Sequence, residues 1–262
     1  MEKAIWRTVT QVAKAIERGQ SVVGTDVRDF YEQQVSQYPL YDRWYEKVME
    51  IVENGHHGMR VLEYGPGTGR LASMLMDHPK VSAVTVVEPE RQFREIIEEA
   101  TGGRVNIVPV KAEKYVSREC VDLVVAMASY HHFEDKPTAL RNASLSMRSD
   151  GLFIIADTFL QPYGFDQRYS PTDREEFADR VMEHAAEQIM AMPELKREVV
   201  EDQIRTAILD MLRRGELKVS VPILETQLEQ AGFRDVNIEK MIGDDPNVDY
   251  DKLGWHFITA KR

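Results

Sequence analysis

The stretch Val61-Leu62-Glu63-Tyr64-Gly65-Pro66-Gly67-Thr68-Gly69-Arg70-Leu71 decides the fold of this 262-residue chain. An apolar run ends on an acid, three glycines alternate with other residues, and a helical pattern begins at once. Glycine is used where the backbone must take positive φ or where a ligand must approach the main chain. A helix start just beyond such a turn leaves unpaired N–H groups facing it. The segment therefore reads as strand, tight turn and helix, with a ligand crevice at the turn. A βα turn that binds nothing is the plainer alternative.

On either side of this turn the chain alternates short β-branched runs with helical patterns, which predicts a parallel sheet with crossover helices. Strands are expected at Arg60–Tyr64, Ala83–Glu88, Val105–Val110, Val121–Ala126 and Leu152–Asp157. Helices are expected at Arg70–Asp77, Arg91–Ala100 and Pro137–Ser146, with Ser149-Asp150-Gly151 as a turn after the last. Asp235–Lys240 and Trp255–Lys261 read as an antiparallel hairpin closing one edge. The expected class is α/β, a doubly wound, mostly parallel seven-stranded sheet. Two segments fall outside this alternation. Residues 1–55 read as an N-terminal helical cap, with Phe30, Tyr31, Tyr38, Tyr41, Trp44 and Tyr45 crowded into sixteen positions. About 165–216 read as a helical lid inserted in the 56–262 core; fifty residues there, from Phe165 to Arg214, contain no glycine.

Composition narrows the function. Charged residues make up 29% and hydrophobic ones 43%, enough of each for a core and a solvated surface. No apolar run approaches the ~20 residues that cross a bilayer, and the opening Met1-Glu2-Lys3 does not resemble a secretory signal. A single cysteine, Cys120, makes no internal disulfide. The net charge of −11 repels polyanions, so nucleic acid is a poor default partner. The starting expectation is a cytoplasmic protein acting on small molecules, with a homo-oligomer compatible with the same data.

Two acids define the ligand chemistry. Glu63 stands two residues before Gly65, at the strand end, where a carboxylate faces the crevice. Glu88 ends the next strand, where an acid accepts hydrogen bonds from the two hydroxyls of an adenosine ribose. Arg70 occupies the position where a dinucleotide fingerprint requires its last glycine, and a carboxylate beside the loop repels a pyrophosphate. A crevice rich in acceptors suits a ligand carrying an amine and a sulfonium.

On these residues, the stretch from Arg60 to Asp157 resembles a class I S-adenosylmethionine-dependent methyltransferase of the small-molecule type, and the closing hairpin is similar as well. The resemblance implies S-adenosyl-L-methionine as cofactor. It places Gly65, Pro66, Gly67 and Gly69 under the methionine part with Glu63 at the rim, Glu88 on the ribose and Pro89 beside the adenine. Ala112 and Glu113 fall at the adenine edge, although Lys111 stands where an aspartate is common. Met127 and Ala128 fall where a backbone carbonyl meets the cofactor amine.

Methyl transfer from a sulfonium is an in-line displacement whose reactive carbon the cofactor supplies. A base is needed only where the acceptor must lose a proton. Tyr130-His131-His132-Phe133 lies just beyond the fourth strand, and either His131 or His132 is placed to act as that base. The other reading has a histidine bonding the backbone of its own turn. Two adjacent histidines without further Cys or His partners do not make a metal site. Asp157 either caps the segment after its strand or touches substrate. Tyr31 is expected, by resemblance, to cover the cofactor. Met182, Met190, Met192 and Met211 suit either packing or an adaptable pocket, and the acceptor is expected to be a hydrophobic or aromatic small molecule. An RNA or protein acceptor, a dehydrogenase and a binding module that has lost turnover are the competing readings.

Overall fold

The computed structural model describes residues 40–159, 218–219, 221–243 and 254–262. Its sheet contains β1 (Met59–Tyr64), β2 (Val81–Val87), β3 (Asn106–Val108), β4 (Val121–Met127), β5 (Met147–Thr158), β6 (Arg234–Lys240) and β7 (Trp255–Lys261). Their order is β3-β2-β1-β4-β5-β7-β6. The first five pair in parallel, while β7 runs antiparallel to both β5 and β6. This is the doubly wound, mostly parallel sheet with an antiparallel closing pair that the sequence pattern predicts.

Side chains alternate across each strand, and neighbouring residues feed two separate cores. On one face lie α1 (Tyr41–Asn54), α2 (Arg70–Asp77) and α3 (Arg91–Thr101). There Trp44, Val48, Leu71, Leu75 and Ile97 pack against Val61, Val86, Val125 and Ile154. The opposite face is covered by α4 (Lys136–Ser146) and α5 (Val221–Gln230). Leu140, Ala143, Leu224 and Leu228 meet Leu62, Val124, Phe153 and Ile258 there. Asp135 caps α4, its carboxylate accepting from Thr138 N at 3.0 Å, and Pro137 sits in the first turn where no N–H is required.

The structure departs from expectation in two places. Ser149-Asp150-Gly151 does not interrupt the chain before a strand. β5 already begins at Met147, and the pairing with β4 slips between Val121 and Leu123, so the polar residues bulge out of a continuous strand. The second departure is α5, which the sequence reading passed over. Its buried Ile223, Leu224, Gln227 and Leu228 lie at helical spacing, with polar Gln227 interrupting the apolar stripe.

Only residues 40–55 of the expected N-terminal cap are described, and α1 within them forms part of the main core. Trp44 is wholly buried, its ring 4.6 Å from that of Trp255 on β7. Tyr31, the 165–216 insert and its four methionines lie outside the described residues. Among those described, no helix is long and apolar enough to cross a membrane. If α1 is core, Trp44→Ala should cost about 3–5 kcal/mol in urea denaturation; a loss below about 1 kcal/mol would show that α1 is peripheral.

Candidate active site

The strand order changes direction at β1: the chain proceeds to β2 and β3 on one side and to β4 and β5 on the other. Sheets of this kind form their ligand crevice at that point, beyond the carboxyl ends of the strands. Most of the residues singled out in the sequence converge there. Tyr64 pairs with Val87 on one side and Ala126 on the other, so the ends of β1, β2 and β4 lie level. Glu63, Glu88, Met127 and Ala128 therefore border the glycine turn, while Ala112 and Glu113 form a short 3-10 turn after β3.

The turn has a defined shape. Gly65, Gly67 and Gly69 all take positive φ (64°, 57° and 78°), a conformation costly to any residue with a Cβ. A Cβ on Gly65 would lie 2.6 Å from Cβ of Ser129, so glycine is also required by the close approach of the loop after β4. Ser129 reinforces that approach, its Oγ donating to Tyr64 O at 2.7 Å. The chain reaches Ser129 through Ala128, a non-glycine residue at φ 49° whose N–H donates to Ala156 O at 2.7 Å. Sequence reasoning missed Ser129, which has no signal beyond its place after β4.

Arg70 has its own task. Its guanidinium pairs with Asp42 at 2.9 Å and lies 4.5 Å over the Tyr45 ring. The residue that excludes a dinucleotide fingerprint thus ties α1 to the glycine turn. Lys111, the departure from the family pattern, is paired with Glu134 at 2.7 Å.

The two acids differ in their surroundings. Glu63 is only 2% exposed, deeper than the rim position expected, and its Oε2 has no hydrogen-bond partner among the described residues. Burial, with the nearby Glu88 charge, pushes its carboxyl up to about 8. Glu88 is also buried, and burial raises it to about 7 although its Oε1 accepts from Glu90 N at 2.8 Å. A buried carboxylate with a free lone-pair direction is costly unless a donor or cation meets it. The residues at the turn therefore fit a ligand that brings a cationic amine to Glu63 and hydroxyl donors to Glu88.

Beyond Ser129 the chain forms a second 3-10 turn, Tyr130–His132. The structure separates the two histidines. His131 Nδ1 lies 2.7 Å from Asp157 Oδ1, and its backbone N–H donates to Oδ2 at 3.0 Å. His132 is exposed, with its ring 4.0 Å from that of His131. Asp157, 1% exposed, also accepts from Thr158 N at 2.7 Å. Its oxygens are thus engaged by His131 and its own strand end, and it caps no helix among the described residues. Burial works against the Asp157 charge, but His131 and these hydrogen bonds hold its carboxyl below the ordinary range. Tyr130 donates its hydroxyl to Gln227 at 2.8 Å, and the buried Lys136 Nζ donates to Phe133 O at 2.7 Å. Neither anchor was foreseen, because Lys136 and Gln227 read in sequence as ordinary surface residues.

An α/β sheet of this order with a carboxylate-lined glycine turn at its switch point defines the class I methyltransferase fold. A family model described as a methyltransferase domain matches residues 35–238, and the chain belongs to that family. An uncharacterized methyltransferase of Bacillus cytotoxicus is 30% identical over 136 residues, covering 50% of this chain and 62% of the relative. Uncharacterized methyltransferase YrrT of Bacillus subtilis is 27% identical over 145 residues, 54% of this chain and 62% of its own length. The chain thus spans less than two thirds of these relatives. Among solved structures, an S-adenosylmethionine-dependent methyltransferase from Mesorhizobium loti matches with TM-score 0.58 at 14% identity, covering 87% of this chain and all of that one. The N-methyltransferase NodS of Bradyrhizobium japonicum matches at TM-score 0.55 and 12% identity, covering 85% and 96%. At such identities these two show the fold alone.

The raised carboxyls make a stability prediction. A carboxyl that binds its proton more tightly folded than unfolded weakens the fold as pH rises from its unfolded value toward its folded one. At about 1.4 kcal/mol per unit, wild type should lose roughly 2–3 kcal/mol relative to Glu63→Gln between pH 5 and pH 7. Urea denaturation of both proteins isolates the effect, because the oppositely signed slopes of Lys136 and His256, both lowered by burial, are common to them. Parallel stability curves would place the Glu63 carboxyl in water.

Proposed function

We propose that the protein transfers a methyl group from S-adenosyl-L-methionine to a small-molecule acceptor in the cytoplasm. The observation that carries this reading is the buried Oε2 of Glu63, without a hydrogen-bond partner among the described residues, beside Glu88 at the glycine turn. Phosphate ligands are repelled by such a pair, whereas an amine and a sulfonium are attracted.

Each residue takes a defined part. Gly65, Pro66, Gly67 and Gly69 form the floor beneath the methionine moiety, with Glu63 facing its amine. Glu88 takes the ribose hydroxyls and the exposed Pro89 flanks the adenine. Ala112 and Glu113, both buried, close the adenine edge. Met127 and Ala128 offer backbone groups to the amine across the crevice. When bound, the cofactor supplies an electrophilic methyl carbon; the protein's work is to align the acceptor with it and keep water away. His131 and His132 border the acceptor side, and Tyr31 is assigned to the cover over the cofactor. The family membership and the two-carboxylate crevice both support this reading over a dehydrogenase.

Calorimetry tests it. S-adenosyl-L-methionine should bind at pH 7 with release of protons, seen as a heat that depends on the ionisation enthalpy of the buffer, because a cation displaces protons from carboxyls raised to about 7 and about 8. Glu88→Ala should lower affinity at least tenfold, about 1.4 kcal/mol, with the thermal unfolding of the ligand-free protein retained. Absence of binding by wild type at millimolar cofactor would refute the proposal.

A further inference from the structure

We propose that the hydrogen bond between Tyr130 on the site loop and Gln227 on α5 positions Ser129 against the glycine turn, so that these two residues set cofactor affinity from within the core. This rests on the methyl-transfer reading above and adds two positioning residues to that site.

The pair is out of keeping with its surroundings. Tyr130 is buried in the cluster that contains Phe133, Leu140 and Phe159, and Gln227 is buried between Leu224 and Leu228 on α5. Tyr130 Oη donates to Gln227 Oε1 at 2.8 Å, joining segments 97 positions apart. Such a bond adds little net stability, because an apolar pair of the same shape is nearly neutral in its place. Removing one partner alone is costly, since the other keeps its desolvation penalty. What a buried polar pair supplies is direction and length, which fix one arrangement of the segments it joins. A glutamine in the buried stripe of α5 is therefore explained by what it holds.

Two routes lead from Tyr130 to the glycine turn. The first is along the chain. Tyr130 follows Ser129, and the turn they share is closed by His132 N–H to Ser129 O at 3.0 Å and Phe133 N–H to Tyr130 O at 3.1 Å. Ser129 donates in turn to Tyr64 O at 2.7 Å, and its Cβ would lie 2.6 Å from any Cβ placed on Gly65. The second route runs through rings. Tyr130 meets Phe133 edge-on at 5.5 Å, and Phe133 meets Tyr64 edge-on at 5.9 Å. Both routes end at Tyr64-Gly65, where the turn starts.

Upstream, Ala128 is held at φ 49°. A residue with a Cβ keeps that conformation only where its neighbours over-determine it. Its N–H is fixed to Ala156 O at 2.7 Å on one side, and the anchored Tyr130 constrains it on the other. Without the anchor, Ala128 is free to relax toward an ordinary conformation and to draw Ser129 away from Gly65. Lys136 Nζ, 2.7 Å from Phe133 O, holds the far end of the turn and is common to wild type and variants.

Combining two substitutions separates positioning from stability. Tyr130→Phe and Gln227→Met should each lower the thermal unfolding midpoint by about 3 °C or more, and the combined variant should return to within about 2 °C of wild type. In all three, amide hydrogen exchange at His132 and Phe133 should quicken about tenfold. S-adenosyl-L-methionine should bind them at least about fivefold more weakly in calorimetry, the loss expected of a turn in place about a fifth of the time. The combined variant keeps the volume of the pair, so it carries the test where a single substitution does not fold. Recovery of wild-type affinity and exchange in the combined variant would reduce the pair to packing and overturn the proposal. So would a combined variant no more stable than the single ones, because the pair would then contribute stability instead of position. Binding by wild type that persists undiminished in the combined variant overturns this proposal and leaves the methyl-transfer reading standing. Failure of wild type to bind the cofactor overturns both.

Discussion

The constraint on which the site depends is a carboxylate buried at the end of β1 with one oxygen unpaired among the described residues. A group of this kind is stable in a folded chain only as a protonated acid or in contact with a cation. Glu63 is placed there by strand alternation, which turns odd-numbered residues of β1 toward the α1–α3 face, and by the level ends of β1 and β4. The neighbouring Glu88 deepens the penalty. Both acids cost stability in the ligand-free protein, and that cost is recovered only by a ligand of matching charge.

The glycine turn can keep such a ligand close because its neighbours leave it no alternative shape. Gly65 hydrogen-bonds Val87 O through its own N–H and receives Ser129 against its Cα, while Gly69 starts α2 in the left-handed region against Ile97. Ala128 takes a conformation that costs roughly 1–2 kcal/mol for a residue with a Cβ. That strain turns the chain from β4 so that Ser129 reaches Tyr64 O. Arg70 closes the other side by fixing α1 to the start of α2.

The centre of the sheet was legible in the sequence because most of β4 and the later half of β5 are apolar runs, the pattern a strand buried on both faces must have. Arg70–Asp77 and Trp255–Lys261 appear with the bounds the pattern predicts. The glycine turn and its two acids were legible for a related reason, since few other arrangements explain acids at two successive strand ends. What could not be read depends on contacts between distant segments. Gln227 joins Tyr130 across 97 positions and Asp157 joins His131 across 26, and nothing local marks either pair. α5 was missed because a polar residue interrupts its buried stripe, and that residue is the one the site loop requires. His131 and His132 are equivalent in sequence; only the position of Asp157 distinguishes them.

The two pairs of chemically charged groups lie on opposite faces of the same sheet edge. Glu63 and Glu88 share the face of α1–α3, whereas alternation along β5 puts Asp157, between Ala156 and Thr158, on the face of α4 and α5. Acids of like charge on one face would raise one another further, as Glu88 already raises Glu63. Separating them by the sheet lets Asp157 remain ionised, held low by His131, while the carboxyls on the other face are raised. The short segment Met127-Ala128-Ser129 passes between the two environments, and its left-handed residue is what allows a single loop to border both. Carboxyls raised on one face and a carboxyl lowered on the other are opposite titration behaviours. One sheet edge supplies both because its faces are electrostatically distinct.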